Sequence, residues 1–478
     1  TPPMVGLIYV FNLIVGTGAL TLPAAFARGG WALSTASLVF LAAMSFTNAT
    51  YVIETMACAN AVYKWKRLRS IKRDSYEENN LLKTSMPRLD LEEPLVCGDS
   101  IPSRYYSLDR RVELGEMANL FLNKTGRIMF YITLCVYLYG DLSIYAAAVA
   151  KSITDVVCSP VAGNSTLEWD SLPCFNATSA EVTTTRIQCY RIALLTFVAA
   201  VGPFVFFNVQ KTKYLQLFTT GMRWLAFMIM ISMAIYLLMS RGAEGRPPVA
   251  DFTGLPTLFG ACVYSFMCHH SLPGLIAPIR GKNRLGLHLA LDYAIITAFY
   301  LLLAFTGAFA FAHLNDLYTL NFVPTNNENL ALEIVEYFLA LFPVFTLSTS
   351  FPIIAITLRN NLQSLFLDTT RMESYNFLVR KLLFPVVTVV PPLLLTYYLK
   401  DISVLIEFTG SYAGTGIQYL IPTFLVMSAR RHCTNLLGLG VVNKYRSPFA
   451  HTAWSVFILL WSVMCIVLVS VNIVEKKS

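Results

Sequence analysis

Residues 11–23, Phe-Asn-Leu-Ile-Val-Gly-Thr-Gly-Ala-Leu-Thr-Leu-Pro, place Gly16 and Gly18 around Thr17 inside the first long apolar run. Glycine weakens a helix interior by about 1 kcal/mol relative to alanine. Backbone groups freed inside lipid must then find partners in protein, water or a ligand. A break at this point would present the N–H groups of Gly16, Thr17 and Gly18 at a half-helix N-terminus, whose partial positive charge suits a carboxylate. A second run, from Leu258 to Gly274, gathers Ser265, Phe266, Cys268, His269, His270 and Ser271 directly before Pro273-Gly274. Ionisable groups within a membrane are costly and face a cavity or a partner. Freed carbonyls before Gly16, and others near Ser265 and Phe266, would suit an ammonium group. The two runs together therefore match the two ends of a small zwitterion. Taken singly, each has a plainer reading as glycine packing or a proline kink.

Asp141 falls near the middle of another apolar run, beside Tyr139-Gly140. An unpaired carboxylate there would cost several kcal/mol or hold its proton. Proton coupling and gating are its functional readings. The alternatives are an ion pair with a residue such as Arg223, or hydrogen bonds from tyrosines. Glu54, Asp292 and Glu407 fall nearer the ends of their runs and are expected at the membrane interface. Tyr264 reads as core packing, with Phe266 a candidate for a side-chain pocket.

The elements that must position these residues follow from composition. Of the 478 residues, 55% are hydrophobic and 13% are charged, about half the charge of an average soluble domain. The apolar residues arrive in blocks of about 20, the length that crosses a bilayer as a helix. Eleven spans are predicted, near 5–26, 31–61, 125–151, 187–208, 213–240, 254–278, 286–312, 330–358, 378–399, 402–427 and 450–474. With the N-terminus in the cytosol, 26 of the 36 Lys and Arg residues fall on the cytosolic side, as the positive-inside tendency requires. The C-terminus is then lumenal or extracellular. The net charge of +8 thus has a topological cause, and nucleic acid is not an expected partner. No cleavable signal peptide is visible, and the start at Thr1-Pro2-Pro3 leaves room for an N-terminal tail.

The chain divides into 1–61 (spans one and two), a connection at 62–124, spans three to five at 125–240, spans six to ten at 254–427, and a last span at 450–474. Segment 62–112 mixes both charge signs and reads as a flexible cytosolic stretch. Residues 109–122 carry Val112, Met117, Leu120 and Phe121 on a rough apolar stripe, which predicts a helix at the interface. The 152–186 connection, on the lumenal side, holds two glycosylation sequons, at Asn164 and Asn176. It also holds Cys158 and Cys174, with Cys189 just beyond. An oxidising compartment allows one pair among the three; Cys158 with Cys174 is favoured, although spacing does not decide it.

Spans one and six occupy corresponding places if spans one to five and six to ten are repeats. An odd number of spans per repeat inverts the second half, and paired interruptions of this kind point to a transporter site. Here the residues become familiar. Asn12-Leu-Ile-Val-Gly16-Thr-Gly18-Ala-Leu resembles the first-helix motif of the amino acid/auxin permease family. Phe266-Met-Cys268-His269, followed by Pro273, is similar to its sixth-helix motif. Phe408-Thr-Gly410-Ser-Tyr-Ala-Gly414-Thr-Gly416, continuing to Ile421-Pro422, is similar to its tenth. Tyr137-Leu-Tyr-Gly-Asp141 and the run from Tyr412 to Tyr419 look like those of an orphan, solute-carrier-like branch. The resemblance covers almost all of the chain. It implies an all-α polytopic membrane protein of the amino acid–polyamine–organocation type: a five-plus-five inverted repeat with broken helices one and six, plus an eleventh helix.

The resemblance also implies residue roles. Asn12 stands four residues before Gly16, as in the sodium-coupled neutral amino acid transporters, where the asparagine shares a sodium site with a hydroxyl of the eighth helix. Ser350 occupies the matching distance from Pro352, with serine for threonine, and Thr349 is adjacent. Hard cations take oxygen ligands; hydroxyls bonded back to their own helix are the plainer alternative. His269 matches the family histidine after cysteine, and histidine titrates near neutral pH. His270 has no such warrant.

The chain has no Walker loop, His-Glu-x-x-His, paired Cys-x-x-Cys or Gly-x-Ser-x-Gly, and Gly438-Leu-Gly440 has no strand before it. The expectation is a non-enzymatic secondary transporter without a cofactor, moving an amino acid or similar zwitterion by cation-coupled symport, with sodium or protons as the ion. The alternative is a sensor that binds an amino acid and signals through its cytosolic segment. A monomer in the plasma or endolysosomal membrane fits either reading.

Overall fold

The computed structural model describes residues 10–11, 14–82, 105–158, 170–175, 184–206, 213–279, 281–323, 330–367, 382–438 and 441–475. Asn12, Asn164 and Asn176 lie outside them. The regular secondary structure among the described residues is helical, apart from one isolated bridge between Pro173 and Thr185. In chain order the helices are α1 (Thr17–Gly29), α2 (Trp31–Leu82), α3 (Leu114–Phe121), α4 (Lys124–Val157), α5 (Arg186–Val201), α6 (Lys213–Arg241) and α7 (Leu255–Ser265). They continue with α8 (Leu272–Ile276), α9 (Leu285–Ala310), α10 (Leu330–Phe366), α11 (Phe384–Tyr398), α12 (Ile402–Phe408), α13 (Ile421–Leu437) and α14 (Thr452–Glu475).

Among the described residues, seven helical stretches are long and apolar enough to cross a membrane: Trp31–Ile71, Lys124–Val157, Arg186–Phe206, Phe218–Arg241, Leu285–Ala310, Leu330–Phe366 and Thr452–Val471. The chain is a multi-pass integral membrane protein. The first, sixth, ninth and tenth expected spans are carried by shorter helices. α1 begins only after the glycine break, α7 and α8 are two pieces of one run, α11 has 15 residues, and α12 and α13 are separated by two π-helical segments. Those segments, Thr409–Gly414 and Gly416–Leu420, coincide with the glycine-rich tenth-helix motif. Such π turns concentrate at functional sites because they shift side chains out of helical register.

Packing is centred on the broken pieces. α1 lies against α7 and α9, α7 against the π-helical segment and α12, α4 along α10 and α5, and α2 along α13. Close approach depends on absent side chains. A Cβ on Gly260 of α7 would meet Glu407 Cα at 2.7 Å, and one on Gly410 would collide with the Gly260 carbonyl.

Two differences from the sequence reading have physical causes. α2 runs on as one helix to Leu82, through residues 62–82 of the stretch expected to be flexible. Residues 63–73 are rich in Lys and Arg, good helix formers, and extend a helix already nucleated in the apolar span. Glu54, Asp292 and Glu407, expected at the interface, are buried at 2%, 5% and 8% exposure. Glu54 receives Nε and Nη2 of Arg430 at 2.8 and 2.7 Å and the Ser447 N–H at 3.0 Å. Glu407 accepts from Thr257 at 2.8 Å. For Glu54 and Glu407, partners far along the chain, invisible in a single run, make that burial affordable. The expected helix within 109–122 forms as α3, whose Leu114, Met117, Ala118 and Phe121 are buried in packing.

Candidate functional site

The first break is short. Val15 closes the last turn of the incoming helix by donating its N–H to Phe11 O at 2.9 Å, and α1 starts at Thr17 with no side chain capping it. The amides at the start of α1 therefore remain uncapped by side chains, as any helix N-terminus leaves its first donors. A Cβ on Gly16 would meet nothing within 4 Å, whereas one on Gly18 would lie 2.5 Å from Ser265 Cα. The two glycines thus do different work. Gly16 borders open space, and Gly18 lets α1 press against the end of α7.

The second break is longer. α7 stops at Ser265 and α8 begins at Leu272, with Phe266 to Ser271 between them. Phe266, Cys268 and His269 are fully buried. Phe266 stacks on Tyr293 and meets Tyr300 edge-on, with ring centroids 6.1 and 5.3 Å apart. The Cys268 thiol lies 3.3 Å from the Tyr293 hydroxyl. His269 Nε2 lies 3.1 Å from Ser45 O, which fixes Nε2 as the protonated nitrogen because a carbonyl only accepts. Among the described residues, Nδ1 of both His269 and His270 has no hydrogen-bond partner.

Tyr300 of α9 joins the breaks. Its hydroxyl is 3.0 Å from Ile14 O and 2.9 Å from Ser265 O, one freed carbonyl from each side. Arg223 of α6 donates Nη1 to Val15 O at 3.0 Å, and Ser45 donates to Phe266 O at 3.4 Å. The carbonyls of Ile14, Val15, Ser265 and Phe266 thus each lie within reach of a side-chain donor. The single Tyr300 proton serves one of its two at a time and Ser45 is shared with the Tyr293 hydroxyl at 3.2 Å, so free lone pairs remain at the breaks. Arg223, considered as an ion partner for Asp141, is instead directed at the first break.

Asp141, 7% exposed, faces the same place. Tyr264 donates to its Oδ1 at 2.5 Å, and the Tyr264 hydroxyl lies 3.1 Å from Thr17 Oγ1. A hydroxyl carries one proton, so with Tyr264 donating to Asp141, Thr17 donates to Tyr264. Tyr137 and Tyr145 flank Asp141 at four-residue spacing, on one face of α4. Tyr137 approaches the His270 ring at 5.8 Å. That spacing was legible in the sequence as a stripe. Tyr300, Tyr293, Ser45 and Arg223 carried no local signal, since their roles depend on which helix crosses them.

Of the expected ion-coupling residues, Asn12 lies outside the described residues and Asp141 is described above. Thr349 and Ser350 donate to Thr346 O at 2.9 and 3.1 Å, within their own helix. The disulfide forms between Cys158 and Cys174, the favoured pair, and Cys189 is a free thiol.

At the far end of α1, Arg28 contacts Asp316 Oδ1 at 2.5 Å and Ser403 of α12 at 3.2 Å. Burial pushes the Asp316 carboxyl up, but Lys151, Ser403 and Arg28 outweigh it and hold it below the usual carboxylate range. At the opposite end Lys282 donates to Leu108 O and Ala277 O at 2.7 and 2.9 Å, tying α8 to the segment before α3. Burial pushes its ammonium down, against Asp109.

Comparison with known proteins adds the following. The family model described as "Transmembrane amino acid transporter protein" matches residues 97–473. A Drosophila melanogaster protein named Transmembrane protein 104 homolog is 51% identical, covering 98% of this chain and 96% of its own length. The Homo sapiens Transmembrane protein 104 is 47% identical over 99% and 97%. Among solved structures, MhsT in complex with L-phenylalanine matches with a TM-score of 0.52 and 13% identity, covering 98% of both chains.

Proposed function

Since the chain belongs to the transmembrane amino acid transporter family, we propose that it moves an amino acid or similar small zwitterion across a membrane, taking it between the two helix breaks. The observation that carries this reading is the pairing of the breaks through Tyr300, beside the uncapped start of α1 and the open space at Gly16. The substrate carboxylate meets the amides of Gly16, Thr17 and Gly18. Its ammonium group uses the remaining lone pairs of the break carbonyls, and its side chain lies toward Ser265, Phe266, Cys268 and His269. The amino acid bound in the MhsT structure, which has this fold, is consistent with the assignment. In this reading the chain has eleven spans, with spans one to five and six to ten as inverted repeats, the 152–186 connection lumenal and glycosylated at Asn164 and Asn176, and alternating access by rocking one helix group against another.

Coupling in this proposal runs through protons at Asp141. With Asp141 ionised, the chain donates from Thr17 to Tyr264 to Asp141. When Asp141 carries a proton it donates to Tyr264, Tyr264 donates to Thr17, and the Thr17 hydroxyl proton is released toward the substrate site. Protonation therefore changes what Thr17 offers at the break. The sodium reading, through Asn12 with Thr349 or Ser350, has less support. Both hydroxyls are bonded within α10, and the always-charged Arg223 guanidinium sits on Val15 O, an oxygen at the first break.

Uptake into proteoliposomes across an amino acid panel, with proton and sodium gradients imposed separately, tests the proposal. Proton-driven uptake of at least one amino acid is expected. No flux under either gradient defeats transport, and ligand-induced thermal stabilisation without flux moves the assignment to the sensor.

A further inference from the structure

Three cysteines meet at the end of α4. The sulfur atoms of Cys158, Cys174 and Cys189 all lie within 4.8 Å of one another. Cys158 and Cys174 are bonded, and Cys189, half-buried in the first turn of α5, keeps its thiol. A thiol in reach of a disulfide can attack it through a thiolate, and the exchange needs no external oxidant.

We propose that these three residues form an internal thiol–disulfide exchange site, with Cys189 as the attacking group. The Cys189 thiolate forms a bond to Cys174 Sγ, the Cys158–Cys174 bond breaks, and Cys158 leaves as a thiolate that takes up the proton Cys189 gave to solvent. One disulfide and one thiol are present before and after, so the step balances without a reductant.

The backbone favours Cys174 as the sulfur attacked. Cys174 N–H donates to Thr184 O at 2.8 Å, Arg186 N–H donates to Leu172 O at 2.9 Å, and Pro173 bridges Thr185. The segment carrying Cys174 is thus already stitched to the residues that lead into Cys189, and a Cys174–Cys189 bond leaves that stitching in place. Cys158, by contrast, caps α4 through its N–H to Thr154 O at 2.9 Å.

The exchange moves a covalent tie from α4 to α5. α4 is the helix that carries Asp141. Its last turns and the start of α5 flank a cavity of about 210 Å³ lined by Lys151, Tyr190, Lys400 and Asp401. Lys400 is ion-paired to Asp170, four residues from Cys174. After exchange the 170–175 segment stays fixed beside this cavity while the end of α4 is released.

The test reads thiols rather than transport. Purified protein is incubated at mildly alkaline pH without reductant, pulsed briefly with saturating iodoacetamide, acidified and mapped as non-reduced peptides. The alkyl label is expected on both Cys189 and Cys158, with a Cys174–Cys189 cross-link accompanying the second. In Cys189→Ser the label on Cys158 is expected to disappear. Label confined to Cys189 at every incubation time overturns the proposal, as does Cys158 label that survives Cys189→Ser. In Cys158→Ser, a monodisperse protein should show a Cys174–Cys189 disulfide; two labelled thiols there overturn it as well.

Discussion

The two helix breaks differ in what they present. At the first, backbone dominates: Gly16 and Gly18 carry no side chain, α1 starts without a side-chain cap, and the nearby carbonyls receive Tyr300 and Arg223. At the second, side chains dominate: a buried aromatic, a thiol and two histidines fill six residues between α7 and α8. Under the proposed function the first break recognises groups common to all amino acids, which backbone dipoles do without reference to the side chain, and the second discriminates, since its shape and polarity belong to particular residues. Asp141 and Tyr264 link the two through Thr17.

The largest expected effect separates Gly18 from Gly16. Gly18→Leu drives a side chain into Ser265, an overpacking that costs about 1–3 kcal/mol or more. Flux should be lost and thermal stability should fall together. Gly16→Ala meets open space, so stability should hold while substrate affinity drops. If both variants behave alike in a melting assay and a binding titration, the division of labour between the glycines is wrong.

Tyr300→Phe comes next. It removes one hydroxyl that serves a carbonyl of each break, and a buried acceptor left without a donor costs about 1–3 kcal/mol. Uptake should fall sharply, and the Michaelis constant should rise with a smaller change in melting temperature than Gly18→Leu gives. An unchanged uptake curve would separate the breaks functionally.

Asp141→Asn keeps size and can still accept from Tyr264, so the fold should survive. Proton-driven accumulation should vanish, while exchange of labelled for unlabelled substrate at equal pH persists. Retained proton-driven accumulation would place coupling elsewhere.

The smallest effect is expected for Ser350→Ala. Among the described residues its hydroxyl bonds within α10, a local bond worth about 0.5–1.5 kcal/mol. Stability should shift by no more than that, and flux under a proton gradient should be unchanged. Loss of a sodium-dependent component would revive the sodium reading.

The sequence made the membrane nature and the two breaks legible because both are local. A block of about 20 apolar residues, a Gly-Thr-Gly and a Pro-Gly each state their meaning within one helix. The disulfide was narrowed to three cysteines but not resolved, since pairing depends on how loop and α5 fold back together. The polar partners were harder. Glu54 resembled an interfacial acid until Arg430, far along the chain, was found beside it. Tyr300, Tyr293 and Arg223 resembled ordinary residues of apolar helices.

Sequence by itself therefore determined an all-helical, multi-pass chain, its family, and the places where two helices fail. Tertiary structure decided that Gly18 touches Ser265, that Tyr300 spans both failures, that Arg223 turns to Val15 rather than Asp141, and that Cys189 lies beside a bond it does not share. The physical reason is the same throughout. A helix break is set by nearby propensity, whereas the donors that satisfy it must come from other helices, which no local pattern specifies.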